Sequence, residues 1–262
     1  MYRIIRLWLP LVLFFWLTAC ATAPVTGRKQ LILIDPHTEM ALGMQAYKEI
    51  LKKAKLCKDP KINAMVERVG WRIAKATGRT DFQWEFKVID DPKTINAFCL
   101  PGGKVFVYTG LFKIVKNDAE LATVIGHEVG HALARHGAER MSLALLASLG
   151  EVALSMAFDW KDQATRKLFL TAYDAGATLG LILPYSRKQE FEADEIGVYL
   201  MAKACYDPRA ALTFWQKMLK ISRKRPHLPA FLSTHPPDEA RIRRLKEIMP
   251  RMLAIYHQHC PS

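Results

Sequence analysis

The chain has 262 residues, half of them hydrophobic, with 14 glycines and 14 prolines; this composition supports the packed core of a large globular domain and excludes a disordered or collagen-like chain. The formal net charge is +13. Basic residues are spread over helical faces, as in Lys52, Lys53, Lys55, Lys58 and again Arg241, Arg243, Arg244, Lys246, and are not gathered beside aromatic platforms, which argues for a solvated surface near anionic lipid and against nucleic acid as a partner.

The opening stretch, MYRIIRLWLPLVLFFWLTAC, has two arginines, an apolar run without an acid, then small residues ending at Cys20, which is the anatomy of an export signal. Its apolar run, 7 to 19, is too short for a comfortable membrane span. LTAC at 17 to 20 resembles the bacterial lipobox, which implies cleavage before Cys20, lipidation of its thiol and a body held in water at a membrane surface. Ala21 in place of an aspartate points, by resemblance to the enterobacterial sorting rule, to the periplasmic face of the outer membrane. Without Arg3 and Arg6 the mature balance is 36 basic minus 25 acidic residues, or +11. Cys57, Cys99, Cys205 and Cys260 remain. They form no CxxC pair, so a structural zinc knot is excluded, whereas disulfides are open, with three pairings if all four engage.

Residues 20 to 36 read as a tether, 37 to 258 as a single domain and 259 to 262 as a tail. Apolar residues at helical spacing from His37 to Ala76, broken at Asp59-Pro60, predict two helices. WEFKVID at 84 to 90 predicts a strand, and INAFCLPGGKVFVYTGLF a hairpin turning at Pro101-Gly102-Gly103. Together these make a small, mostly antiparallel sheet. A helix follows from about Asp118. Two apolar segments, 141 to 158 and 168 to 183, are interrupted by Glu151 and Asp174, which favours buried helices or a membrane-touching flap over a membrane hairpin. Ser186 with Gln189 matches a capping box opening a helix to about Ala204, and two more helices, about 208 to 223 and 238 to 257, close the chain.

GHEVGH, 126 to 131, carries the chemistry. Four helical residues turn about 400° and rise about 6 Å, so His127 and His131 project from one face and can reach one cation. Glu128 lies about 100° around, beside a metal and not on it, where it can take a proton from water. This is the HExxH spacing of zinc peptidases. Gly126 and Gly130 together cost about 2 kcal/mol relative to alanine in a helix, which points to a close backbone approach. A catalytic zinc wants a third protein ligand. HExxHxxGxxH is excluded by Ala134 and Gly137, and His136, about 140° from His131, is expected at the surface or behind the ligands. EFEAD at 190 to 194 supplies the alternative. Glu190 and Asp194 share a face, the first to bind metal and the second to accept the N–H of a zinc-bound histidine, while Glu192 points elsewhere.

HEVGHALARH, SRKQEFEADEIG and STHPPDEARIRRL resemble the three signature blocks of the HtpX-like and CAAX prenyl protease type metallopeptidases, metallopeptidase family forty-eight, over about residues 25 to 250. NAFCLPGGKVFVYTGLF is similar to their substrate-side hairpin. The periplasmic lipoprotein branch is the nearest kin implied, without the membrane spans of other members and without a helical-repeat extension. The resemblance implies an α+β fold, a mostly helical zincin-like (gluzincin) domain whose sheet places an edge strand beside the HExxH helix. It also implies one zinc ion on His127, His131 and Glu190, Glu128 as base, and a catalytic contribution from His235 and Arg241, the histidine either stabilising an oxyanion or closing the zinc site at rest. Asn96, Ala97, Phe98 and Cys99 are the expected substrate-binding strand, since strand addition pairs main chains and tolerates varied side chains.

These expectations describe a zinc endopeptidase acting on unfolded or misassembled cell-envelope proteins, with an accessory envelope lipoprotein as a further partner. The rivals are a non-catalytic, chaperone-like lipoprotein that binds envelope clients, and a zinc hydrolase of non-peptide bonds.

Overall fold

The computed structural model describes residues 20–157, 185–224 and 230–260, with side chains over 21–147, 185–223 and 231–260. Expectations for 1 to 19, 158 to 184 and the last two residues, including the export signal and the second apolar segment, lie outside the described residues.

Asp59 opens the second of the two expected helices. Helix α1 spans Pro36–Lys53 and α2 spans Pro60–Thr77. The Asp59 carboxylate accepts the N–H groups of Lys61 (2.8 Å) and Ile62 (3.3 Å), and Pro60 sits where its missing N–H has no partner to lose. Gly78, at φ 68°, closes α2 in the left-handed conformation. The apolar stripe of α2 buries Val66, Val69 and Ile73 completely.

The sheet is β3 (Glu85–Ile89), β4 (Ala97–Leu100) and β5 (Lys104–Tyr108), in the order β3-β5-β4. β4 and β5 form the expected hairpin, with Phe98 opposite Phe106. β3 runs parallel to β5, with Glu85 beside Lys104 and Ile89 beside Tyr108. The strand sequences explain the order. KVFVY is apolar on both faces and its first four residues are buried, which suits the central position. The buried Lys104 ammonium is satisfied by Glu85 at 2.8 Å and by the Gln83 carbonyl. β4 is left at an edge.

A 3₁₀ turn, Thr109–Lys113, leads to α3 (Asp118–Leu133), capped by the Asn117 side chain on the N–H of Glu120 at 2.9 Å. α4 (His136–Ala157) covers the described part of the first apolar segment. α5 (Arg187–Lys203) opens with the expected reciprocal capping box of Ser186 and Gln189. α6 (Arg209–Lys224), a short α7 (Ala230–Thr234) that the sequence does not announce, and α8 (Glu239–His259) complete the order. α3 is the centre: α2, α5, α6 and β4 all pack against it. Among the described residues no helix is long and apolar enough to cross a membrane.

The described residues group into two compact units. Residues 24–26, 37–136, 185–224 and 230–260 form one. The other takes 20–23, 27–36 and 137–157. Within it, the stretch expected as a tether contains an antiparallel pair, β1 (Cys20–Thr22) and β2 (Lys29–Leu31). From Gly137 onward α4 groups with these strands. Of the four cysteines, Cys205 and Cys260 form a disulfide, and Cys57 and Cys99 are free thiols.

Candidate metal centre

The glycines of GHEVGH allow α3 and α5 to meet backbone to backbone. A Cβ at Gly130 would lie 2.7 Å from the Ala193 carbonyl oxygen, and one at Gly126 would lie 3.0 Å from that of Gly197. A Cβ on Gly197 would in turn lie 2.8 Å from the His127 nitrogen. No side chain separates the helices there, so residues on their facing turns share one small volume.

Four donors converge in that volume. His127, His131, Glu190 and His235 each present one ligand atom, all within 4.8 Å of one another. His131 Nε2 is 3.1 Å from His127 Nε2. Glu190 reaches both rings, Oε2 at 3.4 Å from His127 Nε2 and Oε1 at 3.3 Å from His131 Nε2. His235 Nδ1 lies 3.2 Å from His127 Nε2 and 3.0 Å from Glu190 Oε1. Zinc bonds of about 2.0–2.1 Å at tetrahedral angles set neighbouring donors roughly 3.3–3.4 Å apart. These five separations, 3.0–3.4 Å, are close to that spacing, so the four side chains lie near enough to share one ion.

Charge gives a second test of fit. Three buried carboxyl groups, Glu128, Glu190 and Asp194, surround His127 with one buried guanidinium, Arg241, so acidic groups outnumber the arginine and the pocket favours a further positive charge. The cluster's ionisation behaviour has the same sign. Burial alone would lower the His127 pKa, but Glu190 and Asp194 outweigh it and push it up to about 9. Burial would raise Glu190, yet Arg241 and His127 hold its carboxyl far below the ordinary range. His131 is lowered, first by burial and then by the charges of its histidine neighbours, against Glu190. Burial raises Glu128. Glu190 Oε2 and Glu128 Oε1 are buried without a hydrogen bond, which an incoming metal and its water would relieve.

The surroundings fix the ligands. Asp194 Oδ1 lies 2.9 Å from His127 Nδ1, which leaves Nε2 for a metal. Arg241 grips Asp194 with Nε at 2.8 Å and Nη2 at 2.7 Å, and places Nη1 2.8 Å from Glu190 Oε2. Its guanidinium carbon lies 3.7 Å from the centre of the Trp215 ring. Glu128 Oε1 faces His235 Nε2 at 3.3 Å. Asn96, Phe98 and Cys99 are half-buried on and before β4, while Ala97 is buried. Phe98 stacks on Phe106 at 5.1 Å, and burial, then the nearby Glu128 charge, push the Cys99 thiol up.

His136 lies behind the ligands, one of its two expected places: it is fully buried, 2.8 Å from His131 Nδ1. Glu192 faces it, and Tyr185, which the sequence reading does not single out, stacks on His131 at 4.0 Å. Helical periodicity could not choose between the two places for His136, because Arg135 takes a left-handed φ of 56° and redirects the chain.

Comparison with known proteins accords with this geometry. The sequence profile described as Peptidase family M48 matches residues 60–249. The chain belongs to peptidase family M48. It is 36% identical over 239 residues to mitochondrial metalloendopeptidase OMA1 of Schizosaccharomyces pombe, covering 90% of this chain and 68% of the relative. It is 35% identical over 265 residues to the human mitochondrial metalloendopeptidase OMA1, covering 96% and 50%. With the beta-barrel assembly-enhancing protease of Escherichia coli K12 it shares 31% over 228 residues, covering 84% and 46%. The chain thus spans about half the length of the human and E. coli relatives. As a member of family M48 it is a metallopeptidase, and the His127, His131 and Glu190 cluster fits that family's zinc site.

Proposed function

We propose that the chain is a zinc-dependent endopeptidase cutting unfolded or misassembled cell-envelope proteins, with a zinc ion on His127, His131 and Glu190. The observation that carries it is the set of four buried donors within 4.8 Å of one another, with the unbonded oxygen of Glu128 beside them. Zinc held there supplies Lewis-acid polarisation of a peptide carbonyl and acidifies water. Glu128 is the base: its burial-raised pKa suits a carboxylate that takes a proton from water and returns it to the leaving amine. Asp194 holds His127 in the ligating tautomer. Arg241, with its donors on Asp194 and its charge beside Glu190, is a positioning residue. His235 occupies the place that substrate needs, so it withdraws before substrate binds and then donates from Nε2 to the developing oxyanion.

Substrate lies extended along β4, from Asn96 to Cys99, because an edge strand offers main-chain groups to any sequence. The lipid anchor at Cys20, export by residues 1 to 19, the outer-membrane address and an accessory lipoprotein belong to the same proposal. The anchor and export rest on the N-terminal sequence, and the envelope address also on the beta-barrel assembly in the E. coli relative's name.

The test is metal analysis of the mature protein with casein-type digestion by wild type and Glu128→Gln. Both should hold zinc, and the variant should cut about 10²–10⁴-fold more slowly. A zinc-loaded wild type that leaves every unfolded substrate intact, or a Glu128→Gln variant of full activity, would overturn it.

A further inference from the structure

The two ligating histidines of α3 are oriented by different means. His127 meets a carboxylate directly, whereas His131 meets a second imidazole. His131 Nε2 faces His127 and Glu190, so its ligating lone pair is on Nε2 and its proton on Nδ1. That Nδ1–H donates to His136 Nδ1 at 2.8 Å. With Nδ1 accepting, His136 carries its proton on Nε2 and donates to Glu192 Oε2 at 2.9 Å. The Thr26 hydroxyl, in the turn joining β1 to β2, donates to Glu192 Oε1. Every link has one donor and one acceptor, and the two imidazole links run in one direction, away from the metal position.

The backbone is arranged to make this chain. α3 ends at Leu133, Arg135 adopts its left-handed φ with its Nε on Glu39 at 2.6 Å, and α4 begins at His136. A continuing helix would carry residue 136 about 140° away from His131. The break instead returns the imidazole beneath it. Glu192 comes from α5, two residues after the ligand Glu190, and is itself buried. We propose that His136, backed by Glu192 and Thr26, is a positioning residue that holds His131 in its metal-ligating tautomer and ring orientation. The inference rests on the zinc site proposed above and deepens it: without the relay, the buried His131 Nδ1–H has no acceptor at His136, and the ring loses what fixes its plane.

The test compares full-length mature protein with His136→Phe, His136→Gln, Glu192→Leu and Thr26→Val. Zinc affinity is read by chelator competition, and ligand geometry by the visible spectrum of the cobalt(II)-substituted protein. His136→Phe keeps a ring but no acceptor, and should weaken zinc binding about 10–100-fold and shift the cobalt bands. His136→Gln places an amide oxygen in the acceptor position and should recover most of the affinity. Wild-type affinity and spectrum in His136→Phe, or equal losses in the Phe and Gln variants, overturn the proposal. If His136→Phe does not fold, Glu192→Leu and Thr26→Val decide. Weakened zinc binding with unchanged far-UV circular dichroism supports the relay, and unchanged binding in both sinks it. A wild-type protein that binds neither zinc nor cobalt sinks the metal site itself, a separate outcome from a relay that fails in a metal-binding protein.

Discussion

Helices α2 and α3 pack against each other but are built on opposite rules. α2 is amphipathic: Val66, Val69 and Ile73 are buried, while Glu67, Arg68, Trp71 and Arg72 face water. α3 has no outer face from Leu121 to His131; every residue there is buried, including both histidines and Glu128. A helix of the first kind is specified by periodicity and tolerates change on its wet side. In a helix of the second kind each position is constrained by a particular neighbour, and polar residues survive only with partners. The difference separates the part of the molecule that is scaffold from the part that is site.

Substitutions around the two helices test how deep this difference runs. The largest effect is expected at Arg241, buried between Asp194, Glu190 and Trp215 beneath α3. Arg241→Leu leaves two buried carboxylates without their cation and should cost about 3–5 kcal/mol in chemical denaturation of the metal-free protein. A loss comparable to that of a surface ion pair would mean that the polar cluster is solvated and α3 is not a special case. Next comes Gly130→Ala, which places a methyl 2.7 Å from the Ala193 carbonyl oxygen. Although alanine is the better helix former, the variant should lose about 1–3 kcal/mol because the seam must open. A gain in stability would show the helix contact to be soft.

On α2 the effects shrink. Removing its cap by Asp59→Ala should cost about 1 kcal/mol, measured by urea denaturation, and leave zinc binding untouched. Arg68 reaches Asp118 at the start of α3 through Nε and Nη2, both at 2.8 Å, but the pair is solvent-exposed. Arg68→Ala should change stability by about 0.2–1 kcal/mol, with the difference shrinking in high salt.

The same contrast explains what the sequence discloses. α1, α2, the β4–β5 hairpin and the capping box of α5 follow from period, turn residues and caps, which are local. The candidate site is legible for a different reason: His127 and His131, and Glu190 and Asp194, lie at spacings that a helix turns into faces, and the structure brings the two pairs together. What local pattern cannot supply is pairing at a distance. The parallel alignment of β3 with β5, the choice of Cys205 and Cys260 among the four cysteines, and the link from Thr26 to Glu192 are such pairings. EFEADE illustrates the limit. On its own it is an ordinary acidic helix face, yet the fold buries all four acids and sets each against different neighbours, with Glu190 among the metal donors, Glu192 on His136, Asp194 on His127 and Arg241, and Glu195 on Arg244 and Arg251.

The bare seam at Gly126, Gly130 and Gly197 sets a mechanical condition on all this. Ordinary helix contacts absorb a displacement by letting interposed side chains hop between rotamers, but two touching main chains have no such cushion. Any slip of α5 past α3 is therefore passed on to Glu190 and the imidazoles, so the geometry of the candidate metal centre depends on how stiffly these two helices are clamped.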